Sequence, residues 1–162
     1  MFIYFCIYSF LGYFMESFYI SCFQKKWLSS GLLDGPYIPL YGFGAMILIL
    51  VSPYLKASYF LTFITCSILM TTLEYVTSLY LEKVFHQHIW DYSHYKYNYQ
   101  GRICLFYSIL WGFLSILFIF YLHPYLSSLI SFNNTSAFLS IIMITIMMKD
   151  TLLQLKNTNY LN

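Results

Sequence analysis

Long apolar runs separated by short polar stretches make up most of the chain. Residues 2–23 and 57–81 each contain a single charged residue, and residues 103–122 contain none. A helix needs about 20 mostly apolar residues to cross the roughly 30 Å of hydrocarbon in a bilayer. Each of the three runs is long enough, and each is therefore predicted to be a membrane-spanning helix.

Two more runs complete the pattern. Residues 37–51 are apolar and include Gly42, a small residue that lets neighbouring helices approach closely in lipid. Residues 135–155 are long enough to cross if the Lys149 side chain extends to the interface. Because helices satisfy their own backbone hydrogen bonds in lipid, the pattern predicts an all-α integral membrane helical bundle of about five transmembrane helices. Residues 1–162 leave no room for a second domain, so a single polytopic membrane domain is expected.

Turn-forming residues indicate where these helices end. Residues 24–36 are rich in such residues, and the positions expected to shape the turn into the second helix are Gly31, Gly35, Pro36, Pro39 and Gly42. Four further turns or helix stops are predicted, at Ser52-Pro53 to Lys56, at His123-Pro124, at Ser127-Ser128 and at residues 131–136.

Composition places the chain in the membrane class. Hydrophobic residues make up 60% of it and charged residues 9%, against roughly 25% in soluble domains, which excludes an ordinary soluble fold. The 8 Lys and Arg residues are scattered, so no nucleic-acid partner is expected. The 4 cysteines form no CxxC pair and the chain contains no G-x-x-x-x-G-K-[ST] sequence, so no metal, cofactor or ATP site is expected.

The distribution of Lys and Arg predicts the orientation of the helices, because short cytoplasmic loops carry an excess of both. With the N-terminus outside, seven of the 8 lie on the inner side and only Lys56 lies on the outer side. The sequence therefore predicts an outside N-terminus, a cytoplasmic C-terminus and cytoplasmic loops at residues 24–36 and 82–102. A multi-pass protein of the cell (cytoplasmic) membrane, embedded in the lipid bilayer, is expected.

Two acidic residues inside apolar runs are the main candidates for function, because a carboxylate within the membrane is costly. Glu16 and Glu74 each lie eight residues before the inner end of their helix, about 12 Å deep. We expect both to share a cytoplasm-facing cavity, with Ser108 and Trp111 on its wall and Arg102 at its mouth. At least one carboxylate would then bind a proton or a cation. The alternative is that both carboxylates lock helix packing.

The loop at residues 82–102 is the most polar stretch, and its mixture of charged and aromatic residues favours a docking role. Its candidate docking residues are Glu82, Trp90, Asp91, Tyr92, Asn98 and Gly101. We expect Trp90 and Tyr92 to anchor the loop at the membrane interface, while specific hydrogen bonds hold Asp91 and Arg102.

Two alternatives for this loop involve its histidines. His86, His88, Asp91 and His94 are residue types that bind metals, but their spacing matches no zinc signature. His86 and Asp91 also fit the H-x4-D pattern of lipid acyltransferases, in which a carboxylate orients a histidine base, although the companion motifs are absent. The sequence favours a solvated interfacial cluster over both, and no catalytic residue is assigned.

Six segments in order resemble one family. They are Gly12-Tyr13-Phe14-Met15-Glu16, the run from Gly31 to Gly44, Leu73-Glu74-Tyr75, Trp90-Asp91-Tyr92-Ser93, the run from Asn98 to Leu105, and Leu110-Trp111-Gly112. Together they resemble the type IV ABC-transporter permeases, also called CmpB-like, of mainly bacterial membranes. The chain departs from the family at Tyr13 and Ile89, where Trp is frequent. The resemblance implies a multi-span membrane protein that serves as a permease subunit beside a separate ATPase.

These features together predict a small permease-like membrane subunit with a polar cavity built around Glu16 and Glu74. Five short helices hardly enclose a pore and a gate, so an oligomer is expected. An enzyme is less favoured, but one alternative is an inner-leaflet enzyme that acts on a lipid or lipid-linked substrate with Glu16 or Glu74 as acid or base. The other alternative is a noncatalytic membrane assembly protein.

Overall fold

The computed structural model describes residues 1–130 and 133–160, with side chains through residue 157. Within those ranges the α-helices are α1 (Phe2–Gln24), α2 (Pro39–Leu55), α3 (Tyr59–Phe85), α4 (Leu105–Leu117), α5 (His123–Leu129) and α6 (Asn134–Tyr160). A π-helical turn at Phe118–Leu122 joins α4 to α5, and a small antiparallel hairpin pairs β1 (Asn98–Tyr99) with β2 (Ile103–Cys104). About 75% of the chain is therefore helical.

Four helical segments in the described part of the chain are long and apolar enough to cross a membrane. They are Phe2–Gln24, Tyr59–Phe85, Leu105–Leu129 and Asn134–Asn157. Helix α2 is apolar but has 17 residues, fewer than the about 20 that a span needs. The protein is thus an all-helical, multi-pass membrane protein, and its second apolar run forms a helix that is short for a crossing.

Helix α2 continues through the turn predicted at Ser52-Pro53, so that prediction is wrong. Pro53 has no N–H to donate to the Ile49 carbonyl one turn earlier, and such a gap normally breaks a helix. The Ser52 hydroxyl donates to the Ile49 carbonyl oxygen at 3.0 Å and replaces the missing donor. The helix therefore continues past Pro53. It ends at Leu55, and the turn follows at residues 56–57.

The fourth helical segment does not stop at His123-Pro124, contrary to the prediction. At Phe118–Leu122 the helix widens into a π-helical turn, in which hydrogen bonds span five residues in place of four. The change of register puts Pro124 in the first turn of α5, where a missing N–H costs little. Ser127 and Ser128, predicted as a turn, lie inside α5 and donate their hydroxyls to carbonyls three residues earlier.

Helix α6 begins within the turn predicted at residues 131–136. Asn133 and Ser136 cap it reciprocally, since the Asn133 side chain accepts from the Ser136 N–H at 2.8 Å and the Ser136 hydroxyl accepts from the Asn133 N–H at 3.1 Å. This cap explains why α6 begins at Asn134. Residues 131–132 of the predicted turn, and the extreme C-terminus at residues 161–162, lie outside the described residues.

The chain divides into two compact units. The first contains Met1–Met46, Val84–His86 and the described part of Phe132–Asn162. In this unit α1 packs against α6, and the buried Cys6 thiol donates to the Ser140 carbonyl at 3.7 Å. Contact between helices that are so distant in sequence makes the first and last apolar runs part of one unit.

Glycines let α1 approach the start of α2 closely in the first unit. Gly42 lies against Ser9 and Phe5, and Gly12 lies against the Tyr41 ring. A Cβ atom at either glycine would overlap its neighbours. Gly42 therefore has a packing role, since its small size lets the two helices approach closely.

The second unit contains Ile47–Lys83 and the described part of Gln87–Ser131. The partners of α3 fall in reverse order along the fourth helical segment: Tyr59 stacks on Phe120, Phe63 packs on Phe113, Ser67 lies against Gly112, and Glu74 is bonded to Trp111. The two helices are therefore antiparallel, and the hairpin of β1 and β2 lies in the connection between them.

Candidate functional site

Glu74 is a buried carboxylate inside α3, with 4% of its surface exposed. The Tyr92 hydroxyl donates to its Oε1 at 2.9 Å, and the Trp111 indole N–H donates to its Oε2 at 3.2 Å. These donors come from the connecting loop and from α4. Hydrogen bonds of this kind offset part of the cost of burying the carboxylate.

The Tyr92 ring is held in place by stacking on Tyr107, with ring centroids 4.6 Å apart. Burial raises the pKa of the Tyr92 phenol well above its ordinary value, and the nearby Glu74 carboxylate raises it further. The phenol therefore stays protonated across the physiological pH range. Because of this, Tyr92 acts as a permanent hydrogen-bond donor to Glu74.

A tight turn at the tip of the hairpin organises the rest of the loop. Gln100 and Gly101 have φ angles of 55° and 67°, as the hairpin turn types with left-handed central residues require. A Cβ at Gly101 would lie 2.7 Å from Asp91 Oδ1, so glycine also makes room for that carboxylate. The Asn98 side chain bridges the turn, since it accepts from the Gly101 N–H at 3.0 Å and donates to the Tyr95 carbonyl at 2.7 Å.

Trp90 holds the two ends of the loop together, and Asp91 fixes the local turn at Ser93. Asp91 accepts from the Ser93 N–H at 2.8 Å and from its hydroxyl at 2.9 Å, and these bonds lower the pKa of the exposed Asp91 carboxyl below its ordinary value. The Trp90 indole N–H donates to the Arg102 carbonyl at 2.9 Å. The loop is thus fixed by its own hydrogen bonds.

Arg102 forms an ion pair with Glu82 and donates to the Gln100 side chain at 2.7 Å. The Tyr75 hydroxyl donates to the same Gln100 oxygen at 3.1 Å. Glu82 lies on α3 and not in the loop, because the helix extends to Phe85, whose side chain is almost fully buried. The predicted loop boundary at residue 82 is therefore wrong by four residues.

The residues predicted to line one cavity have different partners. Trp111 contacts Glu74, Arg102 contacts Glu82, and the Ser108 hydroxyl donates to the Cys104 carbonyl at 3.0 Å. Glu16 belongs to the other unit, where the Ser30 hydroxyl donates to its Oε1 at 2.5 Å. A cavity shared by Glu16 and Glu74 stays a prediction.

Asp150 in α6 is a buried carboxylate that the sequence analysis missed. Its Oδ2 accepts from the Tyr37 hydroxyl at 2.8 Å and from the Gly35 N–H at 3.2 Å, and 8% of the residue is exposed. The signal was available, because Asp150 lies inside an apolar run as Glu16 and Glu74 do. The adjacent Lys149 masks this signal, because a Lys-Asp pair is also typical of the charged end of an apolar run.

The residues predicted to shape the turn before α2 have specific roles. Gly31 has a φ of 95°, which disfavours other residues, and Gly35 has no room for a Cβ against the Tyr37 ring. Pro36 lies at the centre of a three-residue turn, closed by the Tyr37 N–H and the Gly35 carbonyl at 2.8 Å. Pro39 is the first residue of α2, where proline is favoured.

Two contacts give the relative direction of α1 and α6. Near the start of α1, Cys6 contacts Ser140 of α6. Ten residues later on α6, Asp150 contacts the segment that is hydrogen-bonded to Ser9 and Ser17, further along α1. Both helices therefore progress in the same direction through the first unit.

Metal binding has no support in the described part of the chain, which contains no group of three or more His, Cys, Asp or Glu residues able to hold an ion. This statement covers the loop histidines as well. In the described part of the chain the cysteines are free thiols.

Four helical segments of membrane length and apolar composition define a multi-pass membrane protein, and Glu74 and Asp150 are carboxylates buried within its described part. The chain belongs to the family described as "Putative ABC-transporter type IV", whose model matches residues 3–155. The match includes most of α6, with Asp150, beyond the six segments that carried the resemblance. No curated protein and no solved structure matches the chain.

Proposed function

We propose that this protein is the membrane-embedded, permease-like subunit of an ABC transporter and that a separate protein hydrolyses the ATP. Family membership supports the transporter class. The sequence contains no nucleotide-cradling G-x-x-x-x-G-K-[ST] motif, so ATP hydrolysis requires a partner. The partner acts on the cytoplasmic side, and more than one copy of this chain builds the complete pathway.

The observation that carries the proposal is the buried carboxylate of Glu74. A carboxylate inside a membrane helix is retained against its cost when it serves a substrate or ion pathway. Here Tyr92 connects that carboxylate directly to the polar loop, and Trp111 connects it to α4. In this proposal Glu74 binds a proton, a cation or a cationic group of the substrate, and Glu16 is a second acidic group of the pathway.

The loop between α3 and α4 is the proposed docking surface for the ATPase. Its fixed hairpin, with Asn98 and Gly101 at the tip, presents a defined shape. Displacement of the loop would move Tyr92 and change the hydrogen bonding of Glu74. The same residues thereby couple partner movement to the polar site.

Orientation in the cytoplasmic membrane is part of the proposal. The distribution of Lys and Arg favours an outside N-terminus, and the parallel direction of α1 and α6 supports placing the two ends of the chain on opposite faces. The loop between α3 and α4 is then cytoplasmic, where an ATPase is available.

Affinity purification in mild detergent tests the proposal. The tagged protein should retain a protein with a nucleotide-binding motif, and the variants Asn98→Ala and Trp90→Phe should weaken that retention. Glu74→Gln should keep the partner but change the ATPase rate of the complex reconstituted in lipid, because Gln preserves shape and removes the charge. Tyr97→Phe, in an exposed part of the loop, is the matched control.

Absence of any such partner would contradict the proposal. A change in lipid composition on deletion, with no requirement for an ATPase, would favour the membrane enzyme. Full retention of function in Glu74→Gln, with a change in stability alone, would favour a noncatalytic assembly protein.

A further inference from the structure

The segment between α1 and α2 folds back along α1. Three hydrogen bonds join the segment to the helix: Leu28 N–H to Ser21 Oγ at 3.0 Å, Ser30 N–H to Ser17 Oγ at 3.1 Å, and Ile38 N–H to the Ser9 carbonyl at 3.0 Å. As the residue number rises in the segment, it falls along α1. The segment therefore runs beside the helix, towards its N-terminus.

The place where the segment ends gives its depth. Ser9 lies fifteen residues before Gln24, the last residue of α1, which corresponds to about 22 Å along the helix axis. The hydrocarbon core of a bilayer is about 30 Å thick. Because α1 is a candidate membrane span, the start of α2 at Pro39 falls far from the end of α1 and well inside the membrane. Only about 8 Å of the hydrocarbon core then remains beyond Pro39, so the 17 residues of α2 need not form a complete span.

We propose that residues 28–38 form a re-entrant segment, which lies within the thickness of the membrane, lines a water-filled vestibule, and is held in place by Asp150. The proposal concerns the first unit alone and does not depend on an ATPase partner. It replaces the predicted surface loop at residues 24–36 by a segment that enters the membrane.

Irregular backbone is tolerated at membrane depth where protein groups satisfy its N–H and C=O groups or where it lines a water-filled cavity. Serine hydroxyls of α1 supply two of these partners, at Ser17 and Ser21. The Asp150 carboxylate supplies another, to the Gly35 N–H. Ser30 and Tyr37 are buried with 8% and 7% exposed surface, so one side of the segment packs into the unit.

The other side of the segment requires water. Asp34 is exposed and lies in the chain between Ser30 and Ile38, which are hydrogen-bonded to Ser17 and Ser9 of α1. Those two serines are about 10 and 22 Å from the end of α1, and the depth of Asp34 lies between these values. An exposed carboxylate at that depth faces a water-filled space and not lipid. Gln154 of α6 donates to Asp34 at 3.1 Å, which keeps this residue beside α6. The vestibule therefore favours polar and cationic solutes.

Asp150 is the residue that fastens the segment to α6. One carboxylate oxygen accepts from both the Tyr37 hydroxyl and the Gly35 N–H, on either side of the turn at Pro36. Loss of that carboxylate leaves one buried and one part-buried donor unsatisfied, which is costly. Asp150 is thus a positioning residue for the deepest part of the segment.

Cysteine reactivity in inside-out vesicles tests the proposal. Pro36→Cys is placed deep in the segment and Lys26→Cys at its exposed start, both in a Cys22→Ser background whose baseline is measured separately. A small cationic thiosulfonate should label both positions. A polyethylene-glycol maleimide should label position 36 more than about tenfold more slowly than position 26, because a bulky polymer does not fit into a narrow vestibule walled by closely packed protein.

Equal labelling of both positions by the bulky reagent would show a surface loop and overturn the proposal. Failure of the small reagent at position 36 would overturn the vestibule. Asp150→Ala should raise bulky labelling at position 36, Tyr37→Phe should raise it less, and Lys149→Ala, at an exposed neighbour, should leave it unchanged. Unchanged labelling in both Asp150→Ala and Tyr37→Phe would remove the role of Asp150.

Discussion

The stability of the folded protein depends on the single donor atoms that are hydrogen-bonded to Glu74. Tyr92→Phe removes one donor and leaves the buried carboxylate with a weaker environment, so the free energy of unfolding should fall by about 1–3 kcal/mol. Thermal unfolding in detergent measures the loss. Tyr97→Phe, on an exposed ring of the same loop, should have no comparable effect. Equal stability of the two variants would contradict a structural role for the Tyr92 hydroxyl.

Asp91 gives the loop a defined dependence on pH. Its pKa is lowered in the folded protein by the Ser93 N–H and hydroxyl, so its stabilising contribution is present above the unfolded pKa of about 3.9. That contribution is lost as the pH falls through the lower folded pKa. Ser93→Ala should raise the pKa of Asp91 by removing one of the two donors, and NMR titration of the carboxyl carbon measures it. An unchanged pKa would assign the shift to the N–H alone.

At the residue scale, the sequence pattern identifies one of the two buried carboxylates, Glu74, but not the partners of either. Glu74 was found because a carboxylate interrupts an apolar run, and Asp150 carries the same signal. Tyr92 and Tyr37, in contrast, are ordinary aromatic residues in loops. Their roles depend on which helix the loop meets, 18 residues away for Tyr92 and 113 for Tyr37, and local pattern does not contain that information.

At the element scale, Ser52 and Pro53 form a pair whose effects should not be additive. Ser52→Ala should destabilise α2 by about 1 kcal/mol, because the Ile49 carbonyl then loses its donor. In a Pro53→Ala background the backbone N–H of residue 53 supplies that donor, so the same serine substitution should cost much less. A double-mutant cycle of unfolding free energies measures the coupling. Equal costs in both backgrounds would exclude the proposed compensation.

The existence of the helices was predictable, whereas some of their ends were not. Apolar length alone located α1, α3 and α6 to within a few residues. The predicted helix ends at Pro53 and Pro124 are wrong, because local sequence pattern treats every proline as the end of a helix. At Pro53 a neighbouring hydroxyl satisfies the free carbonyl, and at Pro124 a π-helical turn changes the register. Both compensations depend on backbone geometry that composition does not reveal.

At the scale of the whole molecule, the parallel direction of α1 and α6 predicts that the two ends of the chain lie on opposite faces of the membrane. Reporter fusions at residues 1 and 157 measure this directly. The fusion at residue 157 should be active in the cytoplasm, and the fusion at residue 1 should be active outside. Activity of both on one face would contradict the orientation and the assignment of the loop between α3 and α4 to the cytoplasm.

The contact of Cys6 with Ser140 has a consequence for biosynthesis. These residues are 134 positions apart, so α6, the partner of α1, is synthesised long after α1 itself. Until residue 150 has been translated, the Asp150 carboxylate is absent. The Gly35 N–H and the Tyr37 hydroxyl therefore lack their acceptor. Long-range pairing of this kind is slow and leaves unfinished chains exposed to quality control. Chains that stop before residue 150 should therefore be degraded faster than chains that stop after it, which a pulse-chase experiment in growing cells would detect.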